Sequence, residues 1–544
     1  MLLSRTARTL VRRAWISTSA IGRKEACRVP LDRPLETTAD GKTTGSSGAA
    51  GAQPSFRPFE SRVTELASGL KVATEPHHGD FVTIGAVVAT GTRFESHYPR
   101  GVARLVEKMA FGETSDWTAE QQARVVDESS AMLDCQSTRD SLVFAASCHR
   151  SSVDKVLSLI ANAVMRPVFP AAEVEAAQAT LAFEAETREN TWECSEGVLD
   201  LIHQAAFRGN TLGFPRLSAG LTDARTKQSI GVEQARRLAH SFIAQFHTPD
   251  RIVVSGVGVE HETFVKSAEQ LFDVRHSSWG RHPDWLTEKL PPMDDSYAMY
   301  TGGELKITRD FSNFDYGPSP FPDLAHFVLA FEGCSYRDVD FVPMCVLAAL
   351  LGGGNSFSAG GPGKGMYTRF YGEVLNMYHF MYSARADNHA YEDTGLFTLT
   401  SSAPPDKIGN VALVLVHQAL QLLNGFAAQD VARAKRQLQS QMMMNLETRP
   451  VMFEDLARQV AAHGRRIHPE EYMRMIDAVT EKDLSRVAER LLASRPSVAG
   501  YGKLDALPPY SLIDEAIATR DIKKMLETTD KKSRVKSLWS RVKS

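Results

Sequence analysis

Residues 101–114, GVARLVEKMAFGET, put Arg104, Glu107 and Lys108 at i, i+3 and i+4 of a predicted helix, hence on one of its faces. Val102, Leu105 and Met109 supply an apolar stripe for burial. In a His-x-x-Glu-His sequence the same spacing lets two neutral imidazoles hold Zn2+ while the glutamate acts as general base on a bound water. Here both imidazole positions carry cations. A guanidinium has no lone pair to donate and a charged lysine repels a dication, so no catalytic residue and no metal ligand is expected among the three. Neither His-x-x-Glu-His nor His-Glu-x-x-His occurs in the 544 residues. Taken alone, the trio is a salt-bridged helix face worth roughly a few tenths of a kcal/mol per pair.

A second stretch invites a binding role. Gly352, Gly353, Gly354, Asn355, Ser356, Phe357, Ser358, Ala359, Gly360, Gly361, Pro362, Gly363, Lys364 and Gly365 run between segments that read as helical. Seven of these fourteen residues are glycine, and a tight connection needs only one or two. A phosphate-binding loop is excluded: Ser358 stands where its first glycine belongs, and Gly365 follows Lys364 in place of Ser or Thr. No dinucleotide fingerprint accompanies it. What remains is a run rich in accessible amides and carbonyls, able to meet partners of varied side-chain pattern.

Composition narrows the partners. The chain is 43% hydrophobic and 23% charged, ordinary for globular domains. Its net charge of −3 hides an asymmetry: residues 1–24 hold six basic groups and no acid, residues 520–544 nine basic and three acidic groups, and the body between them 47 basic against 62 acidic residues. An acidic body suits a cationic partner and argues against nucleic acid. Six cysteines without a Cys-x-x-Cys pair suggest neither a disulfide scaffold nor a thiolate metal site. The apolar run FVPMCVLAALL (341–351) falls short of the roughly 20 residues that span a bilayer, so a soluble chain is expected. The opening MLLSRTARTLVRRAW, arginine-rich and free of acids, has the composition of a mitochondrial transit peptide, and residues 37–55 read as a low-complexity linker.

The elements that must position these residues come twice. SRVTELASGLKVATEP and FVTIGAVVATGTRFES read as strands followed by the helix at 101; GELKITRDFSN and HFVLAFEGCSYRD are followed by the helix at 341. Later, RLAHSFIAQFHTPDRIVVSGVG (237–258) and RVAERLLASRPSVAGYG (486–502) each lead an amphipathic helix into a Val-x-Gly-x-Gly strand. Duplication of an α+β unit is the reading: two similar halves at 56–287 and 305–505, joined by a polar, proline-bearing link at 288–304, with the address and linker at 1–55 and a basic tail at 506–544.

Three blocks, LVEKMAFGET with DCQSTRD (134–140), GGGNSFSAGGPGKGMYTRFY, and MMMNLETRPVMFEDLARQV (442–460), resemble the pitrilysin-type (M16) metallopeptidase family, in particular the non-catalytic α-type subunits of its heterodimeric members. The resemblance runs from about Ser61 to Leu504. It implies two homologous α+β halves, each a mostly antiparallel sheet covered by helices, forming half of a clam-shell whose other half is a zinc-containing β subunit. It further implies that 352–365 is the family's glycine-rich loop, engaging presequences of imported precursor proteins in the mitochondrial matrix. No cofactor is then expected in this chain. By spacing from the later LIHQAAFRGNT block, Glu186 is the counterpart of the family's second metal-binding glutamate. Arg104, Glu107, Lys108 and Glu186 would be degenerate metal-site positions, not ligands. The alternative the resemblance leaves open is a core structural subunit of respiratory complex III, which shares this fold; such subunits generally lack the glycine block.

Overall fold

β-Branched and aromatic runs build two six-stranded mixed sheets in the computed structural model. It describes residues 60–189, 195–216, 218–222, 229–310, 323–356 and 366–532. The address and linker at 1–55, Phe357–Gly365, Cys27, Cys194 and tail residues 533–544 lie outside the described residues. In the first sheet, β1 (Arg62–Glu65), β2 (Lys71–Glu75), β3 (Phe81–Val88), β4 (Met132–Ser137), β5 (Leu142–His149) and β6 (Ile252–Val257) lie in the order β1-β2-β6-β3-β5-β4. In the second, β7 (Gly303–Thr308), β8 (Ala325–Glu332), β9 (Gly353–Asn355), β10 (Ser383–Ala390), β11 (Gly395–Ala403) and β12 (Ser497–Gly502) lie in the order β7-β12-β8-β11-β10-β9.

The repeat is visible strand by strand. β6 is parallel to β2 and antiparallel to β3, as β12 is parallel to β7 and antiparallel to β8. β3-β5-β4 and β8-β11-β10 are antiparallel runs. Five strands therefore recur in order and sense; β1 extends one edge of the first sheet and β9 the opposite edge of the second. The chain is α+β, in two halves of one plan.

The helices that matter are α1 (Val102–Lys108), α2 (Val153–Met165), α3 (Ala171–Glu189), α4 (Ser195–Ala206), α5 (Val232–Phe246), α6 (Phe341–Leu351), α7 (Ile408–Gln421), α8 (Ala428–Asn445), α9 (Arg449–His463) and α10 (Glu481–Ala493). α2 and α5 bury Val156, Ile160, Phe242 and Phe246 in the core of the first sheet. α7 and α10 do the same for the second through Val411, Leu415, Leu484 and Leu491.

The other faces are covered by exchange. α9, from the second half of the chain, packs Met452, Phe453, Leu456 and Val460 on Ala73, Val87, Val143, Val253 and Val257 of the first sheet. α4, from the first half, packs Val198, Leu201, Ile202 and Ala205 on Val328, Ala330, Leu396, Ala499 and Tyr501 of the second. The Phe453 ring rests on Gly85 of β3, where any Cβ would collide with it and with the Phe144 carbonyl. This is why β3, read from sequence as an alternating strand, is buried on both faces from Val82 to Val88.

Buried ion pairs tie the halves. Arg93 grips Asp393 at 2.7 and 3.2 Å. Arg466, just past α9, lies 3.4 Å from Glu75 at the end of β2, with both side chains almost fully buried. Residues 286–302 cross between the sheets without a helix or strand. Among the described residues, no single helix is long and apolar enough to cross a membrane.

Candidate functional site

Helix α1 is set in place by a buried carboxylate. Glu95 accepts hydrogen bonds from the Gly101 and Ala103 amides, both at 2.9 Å, satisfying donors at the helix start. Burial pushes the Glu95 carboxyl up to about 7, against those two amides and the Arg100 charge, which pull it down. A carboxyl that holds its proton more tightly folded than unfolded stabilises at acid pH and loses that contribution as pH rises. Through this group the fold is expected to lose on the order of 3 kcal/mol between pH 4.5 and about 7, and Glu95→Gln to flatten the slope when urea unfolding is followed across pH.

On the half-buried face of α1 toward α3 the charged trio is fully engaged. Arg104 Nη1 bonds Glu107 Oε1, and Arg104 Nη2 reaches Glu184 Oε2 on α3 at 3.1 Å. Lys108 Nζ bonds the other oxygen of Glu184. Glu107 Oε2 accepts from the amide of Ser137, at 3.0 Å, and from its hydroxyl. Burial would lower the Arg104 guanidinium, but the Glu107 and Glu184 carboxylates outweigh it and hold it above its ordinary value. Burial would likewise raise Glu184; the Lys108 hydrogen bond and the Arg104 charge outweigh that and keep it below the usual carboxylate range. Two carboxylates and two cations cancel within one hydrogen-bonded group.

Glu186 is not part of it. The structure corrects the spacing argument: Glu184 faces Arg104 and Lys108, while Glu186 is exposed two residues further along α3. The signal lay in the helix period. Val174, Ala177, Leu181 and Ala185 form the buried stripe of α3, and Glu184 borders it at i+3 from Leu181. Ser137 and Glu95 were also missed, since neither sits in a motif. Glu184→Ala leaves the partly buried Lys108 without its carboxylate and takes one of the two carboxylates from Arg104, and is expected to cost about 1–2 kcal/mol; Glu186→Ala should stay within about 0.5 kcal/mol, both read from denaturant midpoints.

A divalent ion does not fit these residues. Of the side chains meeting at this face, two are cations, and the two carboxylates already spend their oxygens on them and on Ser137. Among the described residues, no cluster of three or more His, Cys, Asp or Glu side chains could hold a metal ion.

The glycine segment starts as architecture. The Gly352 amide closes α6 on the Ala348 carbonyl at 2.7 Å, and Gly352 and Gly353 take positive φ of 54° and 101°. Gly353–Asn355 form β9 against β10, where a Cβ on Gly353 would strike the Ala384 carbonyl and one on Gly354 the Tyr371 hydroxyl. Ser356 continues the pairing through its amide to Tyr382 O at 2.8 Å. Gly352 to Gly354 are thus glycine for packing reasons. Among the described residues β9 ends the second sheet, and beyond the segment Tyr367 is 80% and Met377 57% exposed.

Comparison with known proteins agrees with this architecture. Residues 71–220 match the family described as Insulinase (Peptidase family M16), and residues 236–438 match the Peptidase M16 inactive domain. The chain is 45% identical to the Mitochondrial-processing peptidase subunit alpha of Caenorhabditis elegans over 511 residues, covering 93% of this chain and 96% of that one. It is 38% identical to the proteins of the same name from Bos taurus and Homo sapiens, over 85% of this chain and 86% of each. Sequence, repeated sheets and matched relatives converge: the chain belongs to peptidase family M16.

Proposed function

We propose that this chain is the non-catalytic, substrate-recognising subunit of a mitochondrial processing peptidase. The name its relatives carry supports a subunit of that peptidase. The observation that carries the non-catalytic part is the closed ion-pair group at Arg104, Glu107, Lys108 and Glu184, which leaves Glu107 hydrogen-bonded to Ser137 and Arg104 instead of free to take a proton. Zinc chemistry then belongs to a β subunit paired with this chain.

The substrate class is the presequence of an imported precursor: basic, apolar at intervals and variable in sequence. An acidic body attracts such a segment and raises its encounter rate. A glycine-rich backbone offers amides and carbonyls to any sequence that arrives. The arginine-rich, acid-free stretch at residues 1–24 and the relatives' name support a mitochondrial location, and the proposed substrate places the work in the matrix. The test is reconstitution with a zinc-bearing β partner. Presequence cleavage is expected only from the two chains together; cleavage by the partner at full rate without this chain overturns the assignment.

A further inference from the structure

The β4–β5 turn of the first sheet and the β10–β11 turn of the second are the same hairpin of the repeated plan. Both line one cavity of about 560 Å3, Thr138 and Asp140 from the first turn, Tyr391 and Glu392 from the second. A neighbouring cavity of about 250 Å3 shares Phe341, Cys345, Asp455, Gln459 and Tyr472 with it. The rest of that smaller wall is apolar, with Val342, Leu438, Met442 and Ile476 among it. No residue of α1 or α3 lines either space. We infer that the two adjoining cavities form a binding site for an organic cation on an apolar stem, an alkylguanidinium or alkylammonium. The head lies in the larger space and the stem in the smaller.

The charges on the walls set the sign of the head. Arg93 is held by Asp393, and Arg458 by Glu454, so both lining cations are already neutralised. Glu392 pairs with Arg337 and Asp455 with Arg466. Of the lining Asp, Glu and Arg side chains, Asp140 alone forms no ion pair among the described residues. Its carboxylate accepts one side-chain hydrogen bond, from Thr138 Oγ1 at 3.0 Å, and is half-buried. Burial holds the lining imidazoles of His389 and His463 below their ordinary value, so neither adds a cation near neutral pH. Phe94, Tyr336, Phe341 and Tyr472 put aromatic rings on the same wall, and such rings attract a cation. Burial, and then the Glu392 and Asp140 charges, raise the Tyr336 phenol, which sets Asp140 close to that ring. What the larger space lacks is positive charge. Its volume is within the roughly 300–1,000 Å3 of small-molecule sites. An apolar cavity of about 150 Å3 holds one benzene, so the smaller space takes a chain of about six carbons. The inference concerns the folded chain alone and stands or falls separately from peptide recognition.

The experiment titrates the full chain with hexylguanidinium by calorimetry. Saturable binding of about one molecule per chain is expected, with a Kd below about 1 mM. Hexanoate, the same stem with an anionic head, should not saturate. Methylguanidinium, which lacks the stem, should bind at least about tenfold more weakly, and Asp140→Asn should weaken hexylguanidinium at least about tenfold. An arginine side chain carries the same head, so N-acetylarginine amide separates a free cation from one borne on a peptide. It is expected to bind at least about tenfold more weakly than hexylguanidinium, because a polar backbone follows its short stem. A second readout needs no variant. Cys345 lies on the shared wall, so saturating hexylguanidinium should slow its alkylation by N-ethylmaleimide at least about threefold, followed by mass spectrometry of the Cys345 peptide. The inference is overturned by the absence of saturable binding, by hexanoate or N-acetylarginine amide binding as tightly, by indifference to the stem or to a folded Asp140→Asn, or by unchanged alkylation of Cys345.

Discussion

If the proposed function holds, a chain in which Phe357–Gly365 is replaced by a short Ser-Ala-Ser bridge is expected to pair normally with the proposed β partner and to lose at least about a hundredfold in kcat/KM for presequence cleavage. A hundredfold corresponds to about 2.7 kcal/mol of transition-state stabilisation, within what positioning of a bound substrate supplies. The boundaries of the replacement matter. Gly352 O accepts from the Ala386 amide and the Ser356 amide donates to Tyr382 O, so cutting from Gly352 would remove β9 and confuse a lost binding element with a damaged sheet. Leaving 352–356 intact separates the two. Size-exclusion chromatography checks the pair, and cleavage of a fluorogenic presequence peptide reads the rate. Processing within twofold of wild type would show that the segment does not carry recognition.

Severing the chain between residues 295 and 296 is expected to yield two pieces that are insoluble apart and co-purify when expressed together. The cause is the exchange of α4 and α9. Without α9, the first sheet exposes Val87, Val143, Val253 and Val257; without α4, the second exposes Val328, Leu396 and Tyr501. At about 1.5–3 kcal/mol for each large side chain, Met452, Phe453, Leu456 and Val460 alone offer on the order of 8 kcal/mol of burial, comparable to the whole stability of a domain. The Arg466–Glu75 ion pair between the halves is lost with α9 as well. Solubility and pull-down of the two pieces check this; a monomeric, cooperatively unfolding first piece would refute it.

The extent to which the sequence revealed this follows from which interactions are local. The duplicated helix-to-strand unit was legible because α5–β6 and α10–β12 each carry their own apolar period and glycine pattern, and the parallel insertion of β6 and β12 beside β2 and β7 repeats in space what repeats in the chain. The cations beside Glu107 on one face of α1 were legible because they depend only on residue type and helical period. Glu186 stands in place of Glu184 because spacing from the LIHQAAFRGNT block ignores the helix period, which sets Glu184 beside the buried Leu181 stripe and toward Arg104 and Lys108. Within MMMNLETRPVMFEDLARQV the helix breaks: α8 ends at Asn445 and α9 starts at Arg449 behind Thr448, with Pro450 in its first turn. That break turns α9 onto the opposite sheet, a long-range outcome that no local pattern encodes. The packing role of Gly352–Gly354 was not legible because glycine for close packing and glycine for ligand approach have the same letter.

Recognition without chemistry is the account's core, and one tube tests both parts. The purified chain is mixed with a labelled basic, amphipathic presequence peptide; fluorescence anisotropy follows binding, and mass spectrometry of the same sample follows the peptide. Saturable binding with the peptide intact, and fragments appearing only once the zinc-bearing partner is added, is the predicted result. Fragments produced by this chain alone, and abolished by Glu107→Gln, would contradict it.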